Sequence, residues 1–162
     1  MVSQIPHEIE GQDFLLQLIN RKLLKKLKKF LKDPQITANV NLPSPKVRKN
    51  LWINSKSLVY IVIIDEQVCG WVGIRNIRKN EKSCTIDIAI RSDLWGKGLG
   101  SEILLLLEYV LKKVLEIGKI IANVYEKNHR AVKFFEKNYY TKLGSKSSPT
   151  KIVTFEKHLQ MD

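Results

Sequence analysis

Gly96, Gly98 and Gly100 stand at alternate positions in "SDLWGKGLGSEILLLLEYVLKK", after a short apolar run and directly before a long apolar helix pattern. This arrangement predicts a strand, a tight turn and a helix. Glycines without a Cβ let the backbone turn sharply and let another group come close to its amides. A helix start adds unpaired N–H groups and a partial positive charge. Together these make a cradle for a phosphate or diphosphate, and Lys97 adds charge at the same place.

The residues leave three readings of the cradle. A P-loop needs Ser or Thr after its lysine, but Lys97 is followed by Gly98, so that reading fails. A dinucleotide turn needs G-x-G-x-x-G and an acid after the next strand. Gly96 and Gly98 give half of it, Ser101 stands where the third glycine belongs, and Glu126 is the candidate acid. That motif should open a fold of repeated βα units, however, and here it lies two-thirds along the chain. The third reading is a turn that serves packing alone.

Around the turn the pattern predicts a mixed α/β domain. Asp13 to Ile19 reads as a buried strand, and "NRKLLKKLKKFLKD" from Asn20 as an amphipathic helix closed by Asp33-Pro34. Leu23, Leu24, Leu27, Phe30 and Leu31 form its apolar side. A second short helix is expected from Pro45 to Asn54. Leu58–Ile64 and Val68–Ile74 read as a hairpin about Asp65-Glu66-Gln67, and Cys84–Ile90 as the next strand. The helix after the glycines runs from Gly100 to Ile117, with Gly118 expected as its C-cap. "KIIANVY" reads as a strand, "NHRAVKFFEKNYY" as a helix and "PTKIVTFEKHL" as a terminal strand.

A net charge of +12 favours anionic partners, and seven Lys or Arg fall between Asn20 and Asp33. That cluster is either a solvated helix face or a patch for an acidic surface or RNA backbone. No run of 18 apolar residues is present, so no membrane insertion is expected. The N-terminus has no signal-peptide pattern. Cys69 and Cys84 have no metal-ligand spacing. They read as core residues of a cytoplasmic protein, and no metal is expected.

"WGKGLGSEILLLLEYVLKK", a strand, and then "NHRAVKFFEKNYY" resemble the acyl-CoA-binding core of the GNAT acetyltransferase superfamily. The branches most similar are those with ribosomal-protein, spermidine and aminoglycoside N-acetyltransferases. "IEGQDFLLQLI", "LKDPQIT" and "VCGWVGIRNI" extend the resemblance over Ile9 to Leu159. It implies one domain over residues 1–162: a mixed, mostly antiparallel twisted sheet flanked by helices, with a splayed central strand pair that binds acyl-CoA. It also implies that the amides of Gly96, Lys97, Gly98, Leu99, Gly100 and Ser101 hold the diphosphate of coenzyme A. Trp95 takes the place of a common Arg or Gln. Ile88, Ala89 and Ile90 would pair with the pantetheine arm. Asn128 and Ala131 would line the far side, with Phe135 beyond them. The implied cosubstrate is acetyl-CoA or another acyl-CoA. The first helix pair and the loop from Asn39 to Lys49 would form the acceptor wall.

Acyl transfer to an amine needs a base for the amine proton and a donor near the oxyanion, and the leaving thiolate gains from an acid. The family's usual tyrosine acid falls on Phe135, and its frequent glutamate falls on Thr85. Asp87, two residues on, shares the face of Thr85 and is a candidate base or ammonium binder. A carboxylate in "TIDIAI" needs a partner, so pairing with a buried arginine or backbone groups is the other reading. Tyr139 and Tyr140 are candidates for a displaced acid or for core packing.

The function expected is transfer of an acyl group, acetyl first, from coenzyme A to a primary amine. The expected acceptor is a small molecule, peptide or protein; the basic charge suits one that is acidic, phosphate-linked or carried on a ribosome or nucleic acid, and the protein is expected as a monomer or homodimer. The alternative is a GNAT-like module that has lost catalysis and binds coenzyme A, RNA or a protein.

Overall fold

A computed structural model describes residues 5–34, 56–146 and 151–162. The expected helix from Pro45 to Asn54 and the loop from Asn39 to Lys49 lie outside the described residues. Among those described, eight strands form one sheet flanked by three helices. In chain order they are β1 (Glu8–Glu10), β2 (Leu15–Leu18), α1 (Arg21–Phe30), β3 (Leu58–Ile64), β4 (Gln67–Arg78), β5 (Ser83–Ile90), α2 (Leu99–Leu115), β6 (Lys119–Tyr125), α3 (His129–Lys137), β7 (Thr141–Lys146) and β8 (Ile152–His158). The sheet order is β1-β2-β3-β4-β5-β6-β8-β7. Every neighbouring pair is antiparallel except β5 with β6. This is the mixed, mostly antiparallel sheet the sequence predicts.

Side chains alternate across a strand, and β3 and β4 use the alternation to bury both faces. Val59, Ile61, Trp71 and Ala89 meet Leu23, Leu27 and Leu31 of the α1 segment. Tyr60, Val62, Val72, Ile74 and Ile86 meet Ile103, Leu104, Leu107 and Leu111 of α2 on the other face. In α1 the buried leucines recur every four residues, while Leu24 and Phe30 are only partly buried. Asn20 opens the helix by accepting from the Leu23 amide at 2.9 Å. All seven basic residues of the segment are exposed.

Several elements differ from expectation, and β4 runs to Arg78, past the expected end at Ile74. β2 is shorter than Asp13 to Ile19, and the brief β1 precedes it. No element is predicted over β7, yet it pairs with β8 along the sheet edge. α2 ends on Glu116, which takes a left-handed backbone (φ 54), not on Gly118. The physical reason lies in the next two residues. Ile117 is completely buried, and the Gly118 amide donates to Lys82 O at 2.8 Å to start β6.

Glu108, buried on α2, is matched by two groups from outside that helix. The Tyr140 hydroxyl donates to its Oε1 at 3.0 Å, and Lys157 of β8 donates to its Oε2 at 2.9 Å. A buried carboxylate held this way ties α2, the turn after α3 and β8 together. Phe135 packs between Phe155, with ring centroids 5.8 Å apart, and Tyr140, at 5.1 Å.

Candidate functional site

β5 and β6 separate along their length. Parallel pairing covers Ser83, Cys84 and Thr85 against Lys119, Ile120 and Ile121, and then stops. β5 stays paired with β4 as far as Ile90, and β6 stays paired with β8 as far as Tyr125. Between them lies a wedge, and the edge of β5 from Ile86 to Ile90 faces it without a neighbouring strand. Backbone groups at such an edge require partners.

A cleft of about 620 Å³ fills the wedge. Asp87, Ile88, Ala89 and Ile90 line one wall. Trp95, Gly96, Gly98, Leu99, Gly100 and Ser101 close the end where α2 begins. Asn128, Ala131 and Phe135 line the wall opposite. Lys97 is exposed and does not line the cleft. The structure thus gathers most of the predicted binding positions around one space.

The turn is built as the glycines require. Gly96 and Gly98 have φ of +74° and +83°, which L side chains rarely adopt, and no atom stands within 4 Å of a Cβ built on either. The space over the turn is open, so a ligand can approach both amides. Gly100 serves packing instead: a Cβ there would meet the Phe134 ring at 3.0 Å. Asn138 secures the same corner, donating to Ser101 Oγ at 3.2 Å. On the other side of the turn the Trp95 indole N–H donates to Ile90 O at 2.8 Å. This fixes the indole at the end of the β5 edge. The guanidinium carbon of Arg130 lies 3.0 Å from the Trp95 ring centroid. Asn128 caps α3 by accepting from the Ala131 amide at 3.2 Å.

Asp87 carries the main electrostatic feature of the cleft. Arg75 of β4 holds it with two hydrogen bonds, one from Nε to Oδ2 and one from Nη2 to Oδ1 at 2.8 Å. Of the two readings the sequence left for Asp87, the structure contains the arginine pair. Burial pushes its carboxyl above the ordinary carboxylate range, against the charge and hydrogen bonds of Arg75. Each carboxylate oxygen has a second lone pair beyond the one Arg75 engages.

Of the two readings for each tyrosine, core packing describes Tyr140, and both side chains lie off the cleft. Tyr139 is 85% exposed and off the cleft, and Tyr140 spends its hydroxyl on Glu108 in the core. Neither is placed to protonate a leaving group in the wedge. Sequence reasoning missed Arg75, Tyr125, Arg130 and Lys133. Three of these line the cleft, and Arg75 touches a residue that does. The need for a partner to Asp87 was the only sequence signal for Arg75. Among the described residues no group of three His, Cys, Asp or Glu side chains is arranged to hold a metal ion.

Residues 14–141 match the family described as acetyltransferase (GNAT) domain. The acetyltransferase PseH of Campylobacter jejuni is 29% identical over 93 residues, and the match spans 57% of this chain and 57% of that protein. The ribosomal L7/L12 alpha-N-protein acetyltransferase RimL, in complex with coenzyme A, superposes with a TM-score of 0.80 at 13% identity, covering 98% of this chain and 99% of that one. Spermidine N-acetyltransferase from Vibrio cholerae, in complex with CoA and spermine, gives 0.77 at 15% identity, covering 91% of this chain and 96% of the other.

Proposed function

This chain belongs to the GNAT acetyltransferase family, and from that premise we propose that it moves an acyl group, acetyl first, from coenzyme A to a primary amine. The observation that carries the reading is the fork: β5 and β6 part at Thr85, and the wedge leads straight to the open glycine turn.

The residues present fit coenzyme A. The amides around Gly96 and Gly98 suit its diphosphate. The edge of β5 from Ile88 to Ile90, where the Ile90 carbonyl already accepts from the Trp95 indole, suits an arm rich in amides, which pairs as an added strand would. Asn128 and Ala131 bound the far side. When bound, an acyl-CoA supplies the activated thioester. The chain's own part is orientation and proton handling. Asp87, at the wall of the cleft, attracts a substrate ammonium and takes its proton, directly or through water. Arg75 keeps that carboxylate in place. Phe135 has no proton to give, so the chain would leave protonation of a departing thiolate to water.

The acceptor is an amine on a molecule with negative charge. The exposed basic face of α1 supports this, because like charge repels a free polyamine. The relatives span a ribosomal-protein acetyltransferase and a spermidine acetyltransferase, so their range leaves the choice to this chain's own charge. Two buried, unpaired cysteines suit a reducing cytoplasm. No helix among the described residues is long and apolar enough to cross a membrane.

The experiment is calorimetry with coenzyme A and acetyl-CoA, followed by thiol release with a panel of neutral, cationic and phosphate-linked amines. Heat with coenzyme A and thiol release with an anionic amine are expected. Binding with no turnover on any amine favours the second reading, a cofactor-binding module. The observation behind that reading is Phe135, buried where the family resemblance implies a tyrosine hydroxyl.

A further inference from the structure

We infer that Arg130, laid against the Trp95 indole, is a phosphate clamp of the coenzyme A site. The chain then grips the cofactor's phosphates from α3 as well as from the glycine turn. The inference rests on the coenzyme A reading and adds a residue to it that the turn itself does not supply.

Three observations carry it. First, the platform is rigid. The Trp95 indole N–H is committed to Ile90 O, and the Trp95 amide donates to Ser92 O at 3.2 Å. The first bond anchors the ring and the second fixes the backbone that carries it, beside Gly96. Second, the guanidinium lies on that ring and lines the same cleft. A guanidinium held over an aromatic face by cation–π attraction does not spend its N–H donors on that contact. Third, the carboxylates nearest in sequence to the two stacked residues have other partners. Asp93 pairs with Arg91 at 2.6 Å, and Glu126 lies 3.8 Å from Lys151. Among the described residues no carboxylate pairs with Arg130.

A cation with donors to spare, fixed at the mouth of an amide cradle, recognises an anion with several acceptor oxygens. Lys133 and Lys137 extend the stripe. They fall three and seven residues beyond Arg130 and line the same wall. Arginine at this position is favoured over lysine because only a planar fork stacks and donates sideways at once. A purely structural stack would pin α3 to the turn without reading phosphate.

The test uses the whole protein and isothermal titration with coenzyme A, dephospho-coenzyme A and phosphate-free pantetheine, the last by competition. Arg130→Ala is expected to weaken coenzyme A about ten- to a hundredfold, the size of a charge-assisted phosphate contact. The preference for coenzyme A over pantetheine should fall by the same factor. Loss with both phosphorylated ligands assigns the clamp to the diphosphate, and loss with coenzyme A alone assigns it to the ribose phosphate. Arg130→Lys should recover part of the affinity, and thermal melts establish that each variant is folded. Unchanged affinity in Arg130→Ala, or an equal loss with pantetheine, overturns the clamp. A wild-type protein that binds none of the three instead overturns the coenzyme A reading itself.

Discussion

Arg75 reaches diagonally from β4 to Asp87 on β5, spending one donor on each carboxylate oxygen. The residue directly opposite Arg75 is Thr85, and the one opposite Asp87 is Gly73. The diagonal therefore crosses the ladder at the point where β5 leaves β6. The side chains are only 23% and 12% exposed, so the pair is shielded from water and its removal has consequences.

Burial holds the Asp87 carboxyl above the usual range, with Arg75 opposing. A carboxyl raised on folding contributes stability below its unfolded pKa, and that contribution is lost as the pH climbs through the raised value. Arg75→Ala removes the opposing charge and raises the carboxyl further. At neutral pH the variant should lose roughly 3–5 kcal/mol, the cost of stranding one member of a buried pair. Much of that loss should return on acidification, as Asp87 takes up a proton. Urea melts at about pH 8 and about pH 5 compare the two states. A penalty that does not shrink at the lower pH contradicts the assignment.

Asp87→Asn keeps the shape and removes the charge. With Asp87 as proton acceptor, kcat should fall about 10²- to 10⁴-fold. Affinity for coenzyme A, titrated directly, should stay near wild type. An unaltered kcat would leave Asp87 as a strut between two strands.

Gly98→Val places a branched side chain on a backbone with φ of +83° and into space that no protein atom fills. The backbone strain should cost about 1–2 kcal/mol in a thermal or chemical melt. Coenzyme A affinity should drop by about tenfold or more, which is about 1.4 kcal/mol or more. A variant that melts lower yet binds as tightly would show that the turn does not hold the ligand.

Tyr140→Phe deletes a hydroxyl that lies in the core. Glu108 keeps Lys157 but loses its neutral donor, at a cost of about 1–3 kcal/mol. Turnover per folded molecule should be unchanged. Tyr139→Ala, at an exposed position, should stay within about 0.5 kcal/mol of wild type. Activity lost in either would restore that tyrosine to the chemistry.

Burial pushes the Cys84 thiol up to about 12, and Cys69 is buried as well. Neither thiol should react with Ellman's reagent in the native protein, and both should react in guanidinium. Rapid labelling under native conditions would mean that the sheet core opens more readily than its packing implies.

Much of the frame was legible in the residues. Leu58–Ile64 and "KIIANVY" are apolar runs rich in β-branched residues, and both strands fall on the expected positions. The glycine turn announced itself because its spacing and the helix behind it point to one geometry. β7 stayed hidden because "TKLGSK" carries neither alternation nor bulk, and its pairing comes from β8. Within the site, Asp87 demanded a partner, but naming it required the β4–β5 register, which has an irregularity beyond Arg75. The tyrosines were undecidable in sequence. A left-handed backbone at Tyr139 (φ 67) turns that side chain out and the next one in, and no local pattern foretells it. Arg130 meets Trp95 only through the seating of α3, which is a tertiary fact.

The fork between β5 and β6 also bears on how the protein keeps in solution. Bare strand edges recruit foreign strands, and most proteins confine them to the margins of a sheet. This chain carries one in the middle. An occupant seals that seam, and at a hundredfold excess over its Kd it adds about 2.7 kcal/mol to the folded state. Protein stored without coenzyme A should therefore melt at a lower temperature than protein stored with it.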